Sequence, residues 1–182
     1  MKELSLNILD ITENSVKAGA TLTEIRINEN DESLIISIED DGCGMSEETV
    51  KSVIDPFYTT RTTRKVGLGI PLLKMAAEQT GGYIAIKSRV ADENDSSHGT
   101  RVEAFFYKNH LDFTPLGDVI STVTTLIQGH PDRDFLYIHK KGDKEIRLDT
   151  RDIRKVLDGI PLNTFEVIIF IRDSLTEEYL KF

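Results

Sequence analysis

Three groups of residues have types and spacing suited to chemistry, and the first is a polar stripe near the N-terminus. Asp10, Asn14 and Lys17 are four and three residues apart, so they share one face of a helix. A carboxylate can take a proton or hold a water, an amide oxygen can bind magnesium, and an ammonium can bind phosphate. Most such stripes are simply solvated, so this stripe alone does not decide between catalysis and solvation.

The second group ends an alternating segment, in the run Asp40-Asp41-Gly42-Cys43-Gly44-Met45. Glycine permits a positive φ and lets the backbone come close to a ligand. The carboxylate of Asp40 only accepts hydrogen bonds, so it suits an amine donor such as the exocyclic amine of adenine. Acidic glycine turns are also common in hairpins, and a plain turn is therefore the structural alternative.

The third group is a segment rich in hydroxyls and cations, residues 55–66, which runs into Gly67-Leu68-Gly69. A glycine pair at the start of a helix exposes free backbone N–H groups, and these groups bind phosphate well. Arg61, Arg64 and Lys65 could close over that charge. A basic loop ahead of a glycine-rich helix entry is the alternative interpretation.

Hydrophobic periodicity predicts the elements that hold these groups. A 3.6-residue period predicts a helix over 3–18, and alternation predicts an antiparallel hairpin of strands at 21–28 and 33–39. The other elements predicted up to residue 108 are a short helix at 46–53, a helix at 70–80, and strands at 83–90 and 100–107. Hairpin strands with helices set to one side predict an α+β fold, a two-layer sandwich.

Residues 109–182 match no motif and are predicted to form a small α+β extension to a first domain at 1–108. Asn163 with Glu166 predicts a capping box for the last helix, whereas the β-rich run 167–171 leaves a strand as the alternative there. The extension could pack on the first domain or form a docking module, and both roles stay open. Its predicted elements are a helix at 116–128, a hairpin of 134–140 and 144–148, and helices at 150–157 and 164–179.

Composition limits the class of protein. The net charge is −9, with 31 acidic against 22 basic residues, which argues against a nucleic-acid-binding protein. No apolar run reaches the roughly 18 residues of a membrane span, and no signal peptide opens the sequence, so we expect no membrane partner. The single cysteine excludes an internal disulfide. These features predict a cytoplasmic protein.

Taken together and in this order, the motifs resemble the ATP-binding domain of the superfamily of histidine kinases, gyrase, Hsp90 and MutL, over about residues 3–107. The resemblance implies ATP and Mg²⁺ as cofactors. Asn14 would then bind the magnesium ion, and Asp40 would bind the adenine amine. The other residues implied on the adenine side are Gly42, Gly44 and Met45.

Further motifs resemble the parts of that domain that meet the phosphates. Phe57, in Asp55-Pro56-Phe57, matches the phenylalanine box that begins the ATP lid. Gly67-Leu68-Gly69 matches the glycine box at the phosphates. Thr100, after Gly99, is similar to a threonine that supports adenine through water. The cations implied at the phosphate tail are Lys17, Arg61 and Arg64.

One departure concerns hydrolysis. In MutL the general-base glutamate sits four residues before the asparagine, and here Asp10 holds that place. The shorter side chain withdraws the carboxylate from a water that it would activate. Asp10 is thus the candidate catalytic residue, and the resemblance favours nucleotide binding or phosphotransfer over fast ATP hydrolysis.

The short segment before the glycine box is typical of histidine kinases, so the resemblance implies a signalling protein that transfers phosphate to an unidentified protein partner. Only two residues precede the first predicted helix, where such kinases carry their phosphoacceptor, so we expect the acceptor on the partner. A homodimer is expected by analogy alone. Two alternatives stay open: a nucleotide-gated binding module without phosphotransfer, and an anti-sigma-type serine kinase.

Overall fold

The computed structural model of this chain describes residues 3–54, 68–92 and 97–182. The predicted elements form, with small shifts at their ends. In chain order they are α1 (Leu4–Lys17), β1 (Leu22–Glu29), β2 (Ser33–Asp40), α2 (Glu47–Ile54), α3 (Gly69–Gln79), β3 (Tyr83–Arg89), β4 (Gly99–Tyr107), α4 (Val119–Gly129), β5 (Asp134–Lys141), β6 (Lys144–Asp149), α5 (Thr150–Leu157) and α6 (Phe165–Lys181).

The six strands form one sheet in the order β3-β4-β2-β1-β5-β6. Neighbouring strands are antiparallel except for β1 and β5, which pair in parallel from Leu22 opposite Asp134 to Glu29 opposite Lys141. The sheet is therefore mixed, and the predicted α+β class is confirmed. Because β5 pairs along the whole of β1, residues 109–182 pack as an extension of the sheet that the first 108 residues begin.

The core lies between the sheet and the helices. Strands β1 and β4 bury alternate residues, as expected where helices cover one face of a sheet. Helix α1 buries Leu4, Ile8 and Ile11 at helical spacing against that face. The same cluster includes Phe135 of β5 and Ile171 of α6, so the extension shares one core with the rest of the sheet.

The extension also completes the start of α1. The first N–H groups of a helix have no partner inside it. Here Leu4 N–H donates to the carbonyl of Pro115 at 2.9 Å, and Ser5 N–H donates to that of Leu116 at 2.8 Å. The Glu3 carboxylate in turn accepts the backbone N–H of Asp118 at 2.9 Å. Residues 115–118 therefore hold the N-terminus of α1 in place.

One prediction in the extension needs correction, and one alternative left open there is decided. The capping box of Asn163 and Glu166 is wrong, because the N-cap is Thr164, whose hydroxyl donates to the Pro161 carbonyl at 2.7 Å instead of capping the helix. The predicted helix is confirmed over the β-rich run 167–171, and the strand alternative is wrong, because Val167, Ile171 and Leu175 recur every four residues and bury together on the core. Among the helices of the described residues, none has both the length and the apolar character that crossing a bilayer requires.

Candidate functional site

Helix α1 contacts both glycine loops that the sequence singles out. A Cβ added to Gly69 would come within 2.8 Å of the Asp10 Cβ, so the start of α3 lies directly against the middle of α1. A Cβ added to Gly42 would come within 3.0 Å of the Cβ of Ala18, the residue that caps the C-terminal end of α1. Cys43 N–H donates to the Ala18 carbonyl at 2.9 Å and fixes this second contact. The helix thus spans the distance between the two loops.

Three protein donors orient the carboxylate of Asp40, at the end of β2. Its Oδ1 accepts the backbone N–H of Gly42 at 2.9 Å and that of Thr100 at 3.3 Å. Its Oδ2 accepts the hydroxyl of the buried Ser15 at 2.6 Å. Asp40 and Thr100 are opposite one another in the β2–β4 pair, which explains why this backbone N–H reaches the carboxylate.

The neighbouring carboxylate has a different role. Asp41 accepts the backbone N–H groups of Thr21 at 2.7 Å and Leu22 at 2.9 Å, together with the Thr21 hydroxyl. Partial burial raises the pKa of Asp41, but these hydrogen bonds outweigh it and hold the pKa below its usual value. Asp41 therefore ties the start of β1 to the loop, and Asp40 is the carboxylate presented to the site.

Close backbone contacts explain two glycines, Gly44 in this loop and Gly99 at the start of β4. Gly44 has φ +68°, and a Cβ there would lie 1.8 Å from the carbonyl oxygen of Arg89. Gly99 has φ +131°, and a Cβ there would lie 1.9 Å from the carbonyl oxygen of Asp40. No other residue type fits either position without a shift of the backbone.

Two further polar residues brace the loop. The hydroxyl of Ser88 accepts the backbone N–H of Met45 at 2.7 Å and lies 2.8 Å from the hydroxyl of Thr100. His98 donates from Nδ1 to the carbonyl of Gly42 at 2.7 Å. Sequence analysis missed Ser15, Ser88 and His98 as site residues. Only Ser15 gave a signal, because it is a polar residue within the apolar period of α1.

Open space adjoins Asp40 on the strand side. A cavity of about 520 Å³ is lined there by residues of β2, β3, β4 and the end of the loop before β4. Asp40, Ser88, His98 and Thr100 are among them. The carboxylate is therefore half-buried rather than sealed in the core.

The predicted stripe on α1 is present. Asp10 and Lys17 are exposed and Asn14 is half-buried, next to Ser15 and one turn beyond Asp10. Asn14 thus lies along α1 between the contact with Gly69 and the contact with Gly42.

Helix α3 begins at Gly69 with Leu68 as its N-cap and no side-chain hydrogen bond to that cap. Pro71, in the first turn, has no N–H and is well tolerated there. Four of the predicted site residues, Phe57, Arg61, Arg64 and Gly67, lie outside the described residues. Their assignments stay predictions.

The fold and the contacts define a class of α+β protein in which a first helix contacts the loop after a strand-end aspartate and the glycine at the start of a later helix. Residues 2–110 match the family described as histidine kinase-, DNA gyrase B-, and HSP90-like ATPase. The match spans more than half of the chain, which therefore belongs to this family. The resemblance inferred from the motifs is confirmed.

A curated relative and two solved structures are similar to this chain. The sensor protein SrrB of Staphylococcus aureus is 33% identical over 95 residues, which are 50% of this chain and only 16% of SrrB. The Aquifex aeolicus MutL ATPase domain complexed with ADP has a TM-score of 0.55 at 16% identity, covering 87% of this chain and 70% of that one. The mycobacterial sensor histidine kinase MprB has a TM-score of 0.42 at 22% identity, covering 56% of this chain and 67% of that one. An alignment that covers 87% of this chain cannot be confined to the first 108 residues. The likeness to the MutL fold therefore includes part of the extension.

Proposed function

We propose that this chain binds magnesium-ATP between α1, the loop after β2 and the start of α3, and passes the γ-phosphate to a partner protein. The observation that carries the proposal is the environment of Asp40. A carboxylate has about four acceptor sites, and three protein donors occupy it here. The remaining acceptor capacity suits the exocyclic amine of adenine.

The phosphate end of the nucleotide would lie toward Gly69. The first turn of a helix offers free N–H groups and a partial positive charge, which favour phosphate. Asp10 lies against Gly69, so its exposed carboxylate would be beside the phosphates. Lys17 would add charge, and Arg61, Arg64, Gly67 and Phe57 would contribute from the segment that the structure does not describe.

Magnesium fits this site as an ion held mainly by the nucleotide. Among the described residues there is no group of three or more His, Cys, Asp or Glu side chains that could hold a metal ion. Mg²⁺ commonly takes one or two protein ligands and completes its shell with phosphate oxygens and water. The amide oxygen of Asn14, half-buried between the two glycine loops, would be that protein ligand.

The catalytic contribution would be positioning and charge stabilisation, because phosphoryl transfer needs little covalent help from the protein. Likeness to the sensor protein SrrB supports a role in signalling. The acceptor would belong to the partner. We also infer a cytoplasmic location, an ATP-binding unit at 1–108 and, by analogy alone, a homodimer.

A nucleotide-gated binding module is the second candidate, and the packing of α1 favours it. Glu13, next to Asn14, accepts from His130 Nε2 at 2.8 Å at the end of α4, and the Thr122 hydroxyl of α4 donates to the carbonyl of Ser5 at 3.2 Å. A shift of α1 on nucleotide binding would therefore reach the extension directly. ATP would then change a binding surface without any transfer of phosphate.

Incubation with cell extract and γ-labelled ATP separates the candidates. We expect an acid-labile label on a partner, as for phosphohistidine, that is strongly reduced with the Asp40→Asn variant at ATP concentrations below the Kd of that variant. An acid-stable label would identify a serine kinase instead. ATP-dependent capture of a partner without label would support the gated module. If no partner is labelled and no partner is captured in an ATP-dependent way, both functions are contradicted.

A further inference from the structure

An apolar groove lies between α5 and α6, in the extension. Its volume is about 430 Å³, within the roughly 300–1,000 Å³ range of ligand pockets. Its floor and walls are almost wholly hydrocarbon, and it shares no residue with the site around Asp40. Val156 and Phe170 in its lining are 84% and 66% exposed. Contiguous exposed apolar surface of this kind marks interaction sites.

The spacing of the lining residues suits a helix as the occupant. Ile153, Val156 and Leu157 stand at i, i+3 and i+4 on α5, and Val167 and Phe170 stand at i and i+3 on α6. Each set forms one ridge on its helix. Two such ridges with a furrow between them accept the apolar stripe of a third helix.

The charges at the groove indicate what flanks that stripe. Glu166 borders the groove and makes no ion pair with any residue in the described part of the chain. Asp173 and Glu177 follow it at i+7 and i+11, but Arg172 and Lys181 already pair with them. Asp152 borders the α5 side, where Arg147 and Lys155 already pair with it. Of these four carboxylates, the one that no described basic residue pairs with is therefore Glu166, on the α6 side of the groove.

We propose that this groove binds an amphipathic helix of a partner protein, with its apolar stripe between α5 and α6 and lysine or arginine residues facing Glu166. Burial of the stripe supplies the affinity, and the basic flank sets the orientation and the on-rate. The site is independent of nucleotide chemistry, so it stands whether or not the chain transfers phosphate.

Two labelled helical peptides of about four turns test the proposal. Both carry leucine at i, i+3, i+4 and i+7, and one has lysine where the other has glutamate in the flanking positions. Fluorescence anisotropy with the full chain should give at least about tenfold tighter binding of the lysine peptide, a difference of about 1.4 kcal/mol. Glu166→Gln should reduce that preference.

The variants Val156→Asp and Phe170→Asp separate groove binding from general attraction to an acidic protein. Each variant adds a negative charge. Each should nevertheless lower the affinity for the lysine peptide by at least about tenfold, because it places a carboxylate in the apolar furrow. Leu111→Asp is the matched control, since Leu111 is 97% exposed and lies outside the groove, and it should bind as the unchanged protein does. Circular dichroism melting checks that every variant is folded.

Three results would overturn the proposal. The first is equal binding of the two peptides, or no binding of either. The second is full binding by folded Val156→Asp and Phe170→Asp. The third is a dimer in sedimentation that Phe170→Asp dissociates, which would assign the groove to a second copy of this chain.

Discussion

Replacement of Asp40 by asparagine changes which hydrogen-bonding groups this side chain offers to a base. Two backbone N–H groups point at Oδ1, so the amide oxygen must take that place and the NH₂ group falls at Oδ2. The NH₂ group then faces the hydroxyl of Ser15, which can rotate and accept a hydrogen bond. The exocyclic amine of adenine is only a donor in this contact, so it would lose its acceptor.

The magnitude follows from the loss of one hydrogen bond to a charged group, about 1.5–3 kcal/mol. The affinity for MgATP should therefore fall about 10- to 150-fold. With MgATP at about 100 times the unchanged Kd, the unmodified chain should gain about 2.7 kcal/mol of stability and the variant only about 0.3–1.4 kcal/mol. For a chain of this size each kcal/mol moves Tm by about 2–4 °C, so the Tm rise should shrink from roughly 5–11 °C to about 1–6 °C.

Thermal unfolding with MgATP and with the magnesium complex of inosine triphosphate is the assay. Inosine carries a carbonyl where adenine carries its amine, so Asp40→Asn should prefer inosine triphosphate and the unchanged protein should prefer ATP. Asp41→Asn is the matched control, because Asp41 bonds to Thr21 and Leu22, and it should lower stability without changing base preference. Equal shifts with both nucleotides, before and after the Asp40 change, would refute the reasoning.

Three further predictions concern the supporting residues. Ser15→Ala removes a donor at 2.6 Å from the site carboxylate and should weaken MgATP binding by about 1 kcal/mol, roughly fivefold by calorimetry. Gly44→Ala should lower the free energy of unfolding in urea by more than about 2 kcal/mol, whereas Gly142→Ala, at a similar φ of +58° but in open space, should cost only about 1 kcal/mol. Burial lowers the pKa of His139 from 6.5 to about 4, so the unfolded state binds more protons between these values. Stability should therefore fall as pH drops from about 6.5 to 4, by at most about 1.4 kcal/mol per unit, and His139→Gln should remove this dependence while His110→Gln retains it.

Each of these has a contrary outcome. An unchanged Kd for Ser15→Ala would mean that the serine does not orient the carboxylate. An equal decrease in the free energy of unfolding for Gly44→Ala and Gly142→Ala would mean that the loop backbone at Gly44 shifts at little energetic cost. A pH profile that His139→Gln leaves unaltered would assign the acid sensitivity to other groups.

Motifs whose chemistry is local could be predicted from the sequence. The stripe on α1 follows from helical spacing, and Gly44 stands where the backbone takes a positive φ and makes a close contact that only glycine allows. The place of Asp40 at the end of a strand was also predictable, because the alternating pattern stops there. Its bond to Ser15 could not be predicted, because spacing shows which residues share a helix face but not which strand end that face meets.

The parallel pairing of β1 with β5 also escaped prediction. Hydrophobic alternation predicts that Asp134–Lys141 is a strand, but it does not name the partner, and more than 100 residues separate the two strands. The helix α6 shows the opposite case, in which β-branched residues favour a strand locally. The four-residue spacing of Val167, Ile171 and Leu175 decides for a helix, because it buries all three on one core.

The most direct test of the central claim is isothermal titration calorimetry of the unmodified chain with MgATP. We predict a saturable heat with one nucleotide bound per chain, which would follow from a single site built on α1 and Asp40. The absence of any heat of association with both MgATP and MgADP would contradict the account.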